Sequence, residues 1–229
     1  MLGAEEMTAI WLSLRVALVA TLVALPLAIW IAYLLARKTF PGKQLLNGVV
    51  HLPLVLPPVV TGYLLLVVFG TQAPVGRFLS ETMGVTFAFR WTGAALAAGI
   101  MAFPLMVRAI RLGIEAVDPG LEEAAETLGS TRTRVFRTIT LPLVLPGVFA
   151  GAVLGFAKAL GEFGATITFV AAIPGETQTI PTAIYGLLQV PGSEPAVVGL
   201  VSVSIALAMG ALLVSEWLAR RMAKKLGRA

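Results

Sequence analysis

The chain has no cysteine and one histidine, His51. Without cysteine there is no disulfide framework, no thiol nucleophile and no thiolate-bound metal. A single histidine leaves no multi-histidine metal site. No metal, cofactor or catalytic constellation is therefore expected. Charge is scarce too: Asp, Glu, Lys and Arg make up 13% of the 229 residues, roughly half the share usual in a soluble domain. The hydrophobic share is 58%, and mean hydropathy is +0.91. A water-soluble globule of this composition would expose apolar surface, and disorder needs the opposite balance, low hydrophobicity with high charge. What remains is an all-α polytopic membrane protein. Lys and Arg number 17 against 12 Asp and Glu, a net charge of +5. In a membrane protein basic residues gather in cytoplasmic loops, so the excess points to topology and not to a nucleic-acid partner.

A spanning helix needs about 20 mostly apolar residues. Residues 10–36 qualify, broken only by Arg15, and so do residues 48–70. Residues 91–107 form a shorter candidate, with Arg108 placed to snorkel at its end. A fourth starts near residue 143 and runs past Lys158 toward residue 173, and the last covers 196–218, with 161–195 irregular. Five spans, or six, are expected. The first is too long for a signal-peptide core and is followed by others, so it reads as retained.

The loops carry a strong bias. Arg37, Lys38 and Lys43 follow span one; Arg108, Arg111, Arg132, Arg134 and Arg137 follow span three; Arg220, Arg221, Lys224, Lys225 and Arg228 follow span five. These 13 of the 17 basic residues lie on one side, and the other side holds Arg77 and Arg90. The basic side is read as cytoplasmic. The N-terminus, with Glu5 and Glu6, is then outside and the C-terminus inside.

The cytoplasmic loop between spans three and four, about 118–142, reads as two capped helices. Asp118 caps the first, and Pro119 fits the first helical position. Glu122 and Glu123 follow near the positive end of the helix dipole. Leu121, Ala124, Ala125 and Leu128 recur on one apolar face. Gly129 ends this helix as a residue free to take positive φ. Ser130 is expected to cap a second helix that carries Arg132, Arg134 and Arg137 and closes before Pro142. The bland reading is an amphipathic loop at the headgroups. A DNA-binding helix-turn-helix has the same outline, but this pair is tied to membrane spans at both ends. The functional reading is a knob for a cytoplasmic partner, with the small Ala124 and Ala125 allowing close approach.

Glu123-Ala124-Ala125, three residues, Gly129, nine residues, Ile139, one residue and Leu141-Pro142 together resemble the "EAA" signature of permease subunits of binding-protein-dependent ABC importers. The resemblance implies a type I permease fold, with 1–229 as one transmembrane permease domain in the bacterial cytoplasmic (inner) membrane. It implies a coupling helix that inserts into an ATP-hydrolysing subunit, with Glu123, Ala124, Ala125, Gly129, Ile139, Leu141 and Pro142 carrying the coupling. The chain has no phosphate-binding loop of its own: Gly42-Lys43 lacks both the upstream glycine and the following Ser/Thr. Hydrolysis is expected on another polypeptide, present in two copies, and the permease is expected as a homodimer.

Two membrane constellations remain. Leu52-Pro53-Leu54-Val55-Leu56-Pro57-Pro58-Val59-Val60-Thr61 sets three prolines within six residues. In lipid the carbonyls they free must be satisfied by neighbours or a cavity. This is either a packing kink or a broken helix lining a pathway, with Pro57, Pro58 and Thr61 as candidates. The second run is Lys158-Ala159-Leu160-Gly161-Glu162-Phe163-Gly164-Ala165-Thr166-Ile167-Thr168. Ionisable residues within a span are functional candidates, yet Lys158 and Glu162 are four apart and can neutralise one another. Gly161 and Gly164 allow a bend or close packing. His51 reads as a polar residue at the interface.

Both runs, with Phe40-Pro41-Gly42-Lys43, Phe103-Pro104-Leu105-Met106-Val107-Arg108 and 174–185, are similar to the molybdate branch of this family, to which the sulfate/thiosulfate permeases are near relatives. The resemblance implies import of a tetrahedral oxyanion, molybdate or else tungstate or sulfate, delivered by a separate binding protein outside. A doubly negative anion needs donors without a deep well, and the hydroxyls of Thr61, Thr166 and Thr168 with backbone N–H groups suit this. A gradient-driven anion transporter would use the broken helix and the Lys158–Glu162 pair but leaves the EAA loop without a purpose.

Overall fold

A computed structural model describes residues 3–225, and every regular element among them is helical. Helix α1 (Ala4–Arg37) has 34 residues, enough at ~1.5 Å per residue to cross a bilayer and protrude. Helix α5 (Trp91–Glu115) extends the short third span well past Arg108. The two pack through small side chains: Ala17, Ala20, Ala28 and Ala32 of α1 and Ala94, Ala97, Ala98 and Ala102 of α5 are all buried. In lipid, apolar surface alone does not drive helices together, so close backbone approach supplies the packing.

The expected second span is two helices, α2 (Lys43–Val55) and α3 (Pro58–Phe69), with a bend of 113° between them. The cause is local. A residue before proline is disfavoured in the helical region, and here two stand in succession: Leu56 precedes Pro57 and Pro57 precedes Pro58. Their ψ angles of 142° and 134° are accordingly extended. Pro58 then opens α3, where its missing N–H costs nothing. The short helix α4 (Pro74–Met83) leads on to α5.

After α5 come α6 (Pro119–Thr127) and α7 (Arg132–Val135), a π-helical turn (Phe136–Thr140) and α8 (Leu141–Leu160). Two expectations are corrected here. The cap of the second loop helix is Thr131, whose hydroxyl accepts from Arg134 N, and not Ser130. Nor does that helix close before Pro142: residues 132–160 run on as one helical stretch. Leu141 N bonds to Phe136 O, five residues back. The widened turn carries the helix across the point where Pro142 has no donor.

Helix α8 lies along α5 on a glycine row. A Cβ on Gly147 would stand 3.1 Å from Gly113 Cα, and one on Gly151 2.9 Å from Ile110 Cγ1. One on Gly155 would stand 2.6 Å from Met106 Cγ. Past Leu160 the chain breaks and resumes as α9 (Gly164–Val170), which reaches the start of α5, where Val170 closes on Gly93. Helices α10 (Ile180–Leu187) and α11 (Glu194–Lys225) complete the chain, so the stretch expected to be irregular holds two short helices.

Helices α1, α5, α11 and the 132–160 run are long and apolar enough to cross a membrane, and α2–α3 makes a fifth span if the bent pair is one. At one end of the bundle Ala9, Ile180, Ala183 and Leu200 cluster, and Ser13 Oγ accepts from Ile180 N at 2.7 Å. At the other, Arg37 Nη2 donates to Val117 O at 2.9 Å. The start of α1 and the 118–142 loop therefore lie at opposite ends. Arg228, counted above among the basic residues, lies outside the described residues.

Candidate functional site

The loop presents an unsupported apolar face. Asp118 Oδ1 accepts from Gly120 N at 2.9 Å and starts α6. Gly129, at φ +85°, ends it: Gly129 N donates to Glu126 O and Ser130 N to Ala125 O. That pair of bonds is the left-handed glycine closure of a helix. Nothing on α6 is buried. Leu121 is 49% exposed and Leu128 87% exposed, and Glu123 and Ala124 beside them are exposed as well. Ala125 is half-buried, as are Ile139, Leu141 and Pro142 in the run that follows. The first four signature residues thus lie on the protruding helix and its corner, and the last three in its root.

Beneath α6 is a polar cluster that sequence reasoning missed. Thr140 Oγ1 donates to Glu122 Oε1 at 2.6 Å, and Arg37 Nη2 stands 3.5 Å from the same oxygen. Tyr33 of α1 meets Phe136 of the π turn edge to face at 5.3 Å. A cavity of about 450 Å3 opens among these groups. The one available signal was Glu122 itself, a second carboxylate beside the signature glutamate, but nothing local pairs it with Arg37.

Within the membrane part, the two helix breaks meet. A Cβ on Gly164 would stand 2.7 Å from Pro58 Cβ. One on Gly62 would stand 2.6 Å from Ala165 O and 2.9 Å from Thr168 Cβ. So α3 and α9 start side by side and run together. Since α8 passes Met106 before the break and α9 reaches Gly93 after it, the break at 161–163 lies beside the middle of α5. Pro57 and Pro58 are exposed, as is Gly161. Pro53, Pro57 and Pro58 leave the carbonyls of Val49, Pro53 and Leu54 without their i+4 helical donor.

Glu162 caps this break. It is 2% exposed; its Oε1 accepts from Ala165 N at 3.1 Å and its Oε2 from Lys158 Nζ at 2.6 Å. The expected pair is present, but Glu162 stands past the end of α8, in the break, and not on the same helix face as Lys158. The Lys158 side chain keeps 31% of its surface exposed, and its ammonium bonds to Glu162 alone among the described residues. Thr61 and Thr166 are buried, and Thr61 Oγ1 has no hydrogen-bond partner among the described residues. Thr168 Oγ1 donates to Gly164 O at 2.8 Å. His51 Nδ1 bonds to Asn47 O at 2.8 Å near the loop end of α2. No group of three or more acidic or histidine side chains among the described residues is arranged to hold a metal.

An exposed helix at one end of a bundle of apolar helices, with two broken helices meeting beside the middle of α5, fits a membrane permease chain. The family model described as the inner membrane component of binding-protein-dependent transport systems matches residues 24–224. The chain belongs to this family. It is 60% identical over 223 residues, 97% of either chain, to the molybdenum transport system permease protein ModB of Escherichia coli (strain K12). The sulfate transport system permease protein CysT of Salmonella typhimurium is 37% identical over 158 residues, 69% of this chain and 57% of that one. Among solved structures, a bacterial ABC transporter that imports the acidic polysaccharide alginate has a chain matching 96% of this one and 80% of its own, with TM-score 0.75 and 20% identity. The fold is that of ABC importer permeases.

Proposed function

We propose that the chain is the membrane permease subunit of an ABC importer for molybdate. One observation carries the substrate: the 60% identity to a molybdenum permease extends over 97% of both chains, whereas the sulfate permease is matched over 69% of this one. Two permease copies enclose the pathway. Two copies of an ATP-hydrolysing subunit dock on the loop face, and a separate binding protein delivers the anion from the outside. The chain has no nucleotide site of its own and is not an enzyme. The whole of 1–229 acts as one permease domain, oriented with the N-terminus outside.

Glu123, Ala124, Ala125 and Gly129 present the docking knob, and Ile139, Leu141 and Pro142 root it in α8. Exposure of the α6 apolar face supports this role, since Leu121 and Leu128 would otherwise stand in water. The junction of the two breaks is the gate region, formed by Pro57, Pro58, Thr61, Gly161, Gly164, Thr166 and Thr168 with Lys158 and Glu162. An ammonium at this depth does not face hydrocarbon, so the Lys158 side of α8 turns toward the second copy or the pathway. Because Glu162 neutralises Lys158, that face offers donors to an oxyanion without a net charge to hold it.

The test is uptake of labelled molybdate into proteoliposomes holding the permease, its ATPase subunit and the binding protein. Uptake should require ATP and yield to excess tungstate more than to excess sulfate. ATP-driven sulfate uptake with none of molybdate would refute the substrate. Molybdate uptake that follows an ion gradient and ignores ATP would refute the class.

A further inference from the structure

We propose that Glu122 is a positioning residue that couples movement of α6 to the membrane helices, by pairing with Arg37 at the end of α1 while accepting a hydrogen bond from the π turn that feeds α8. This rests on the reading of α6 as the docking knob. A lever transmits force only where it is attached. Helix α6 buries no residue, so apolar packing does not fasten it. Its other ion pair among the described residues joins Glu126 to Arg132 at 3.4 Å, with 42% and 80% of the side chains exposed, and a pair in water holds little.

Glu122 is different. It is 19% exposed and Arg37 15%. Its Oε1 takes the hydroxyl of Thr140, which is 1% exposed and sits in the π turn. Arg37 reaches the same oxygen and also donates to Val117 O, one residue before the cap of α6. Arg37 Nε is buried with no partner, and the guanidinium is held by these two contacts among the described residues. The Thr140 bond to the carboxylate, at 2.6 Å, and the Arg37 bond to Val117 O, at 2.9 Å, are charge-assisted and stronger than neutral ones, and the ion pair at 3.5 Å adds attraction to them. With a cavity of about 450 Å3 beside them, they and not packing set where α6 stands. Displacing α6 therefore pulls on Thr140, and the π turn is the point in the 132–160 run with room to change its winding.

The experiment uses the complete complex in proteoliposomes and reads molybdate taken up per ATP hydrolysed. Glu122→Ala should lower that ratio at least tenfold while the permease accumulates normally and retains its ATPase subunit. Glu122→Gln keeps an acceptor for Thr140 and should lose about two- to threefold. Thr140→Val should lose a similar amount, and adding it to Glu122→Ala should make nothing worse, because both act through one bond. A purely structural role would move accumulation and leave the ratio alone. A ratio within twofold of wild type in Glu122→Ala overturns the proposal, and so does loss of the ATPase subunit, which would make Glu122 a docking residue. Should Glu122→Ala fail to accumulate, the Gln and Val variants decide: unchanged ratios in both overturn it. A wild-type complex that takes up no molybdate refutes the functional reading instead, and leaves substrate-independent ATP hydrolysis as the quantity to compare.

Discussion

Removing Lys158 should harm the protein more than removing Glu162, and removing both should harm it least. The asymmetry follows from burial. Glu162 is 2% exposed, whereas Lys158 keeps 31% of its side chain exposed. Lys158→Met leaves a carboxylate in the interior with one backbone donor, Ala165 N at 3.1 Å. Breaking a buried pair in this way costs about 3–5 kcal/mol, and the partial exposure of Lys158 puts the value near the lower end. Glu162→Gln keeps an acceptor for Ala165 N and frees an ammonium that can turn outward, at about 1–2 kcal/mol. The double variant has neither charge, so its cost should fall well short of the sum of the single costs. The assay is thermal retention of the detergent-solubilised permease, with membrane accumulation beside it. Equal losses in the two single variants, or a double variant as damaged as the sum, would refute the reasoning. If Lys158→Met alone abolishes uptake with stability unchanged, the lysine serves the anion and the pair is not structural.

Gly62→Ala should destabilise the permease, because its Cβ would stand 2.6 Å from Ala165 O and 2.9 Å from Ala165 Cα; a lowered midpoint in the same thermal assay is the check. A Cβ at Gly129 meets nothing within 4 Å, so the cost of Gly129→Val is chiefly the left-handed backbone, roughly 1–2 kcal/mol; the variant should insert normally and lose ATP-driven uptake, and normal uptake would show that the corner tolerates strain. Reporter fusions at Ala4 and after Ala229 should report opposite sides of the membrane, the first outside.

What the sequence revealed was local. Asp118, Gly129 and the Lys158–Glu162 pair were legible because a cap, a helix stop and an i,i+4 contact depend on residues within one turn. The proline break was legible as chemistry, since three missing donors need no tertiary knowledge. Its angle was not, and neither was its partner: nothing in 52–61 points to Gly164. The second loop helix was misjudged because a proline usually marks an end, and here a π turn carries the helix past it. Arg37 and Glu122 stand 85 positions apart, and the positive-inside count had already assigned Arg37 a different purpose.

The placement of these features gives the permease one mechanical axis. Force applied at α6 enters through Glu122 at the foot of α1 and of the 132–160 run. From there α8 lies on α5 along Gly147, Gly151 and Gly155, where any added Cβ would collide within about 3.1 Å. A row packed that closely slides or rocks as a body more readily than it bends. The regular winding is interrupted at the two ends of α8: the π turn below, and the break at 161–163 above. That break abuts the α2–α3 break through Gly164 and Pro58, so a shift of α8 is delivered to the one place where a second helix is also interrupted. Two adjoining interruptions can change their relative angle without unwinding a helix in lipid, which an intact pair could not do. The prolines of α2–α3 and the Gly161-Glu162-Phe163-Gly164 break thus adjoin, and Glu162, bonded to both Lys158 before the break and Ala165 after it, ties the two sides of the second break together.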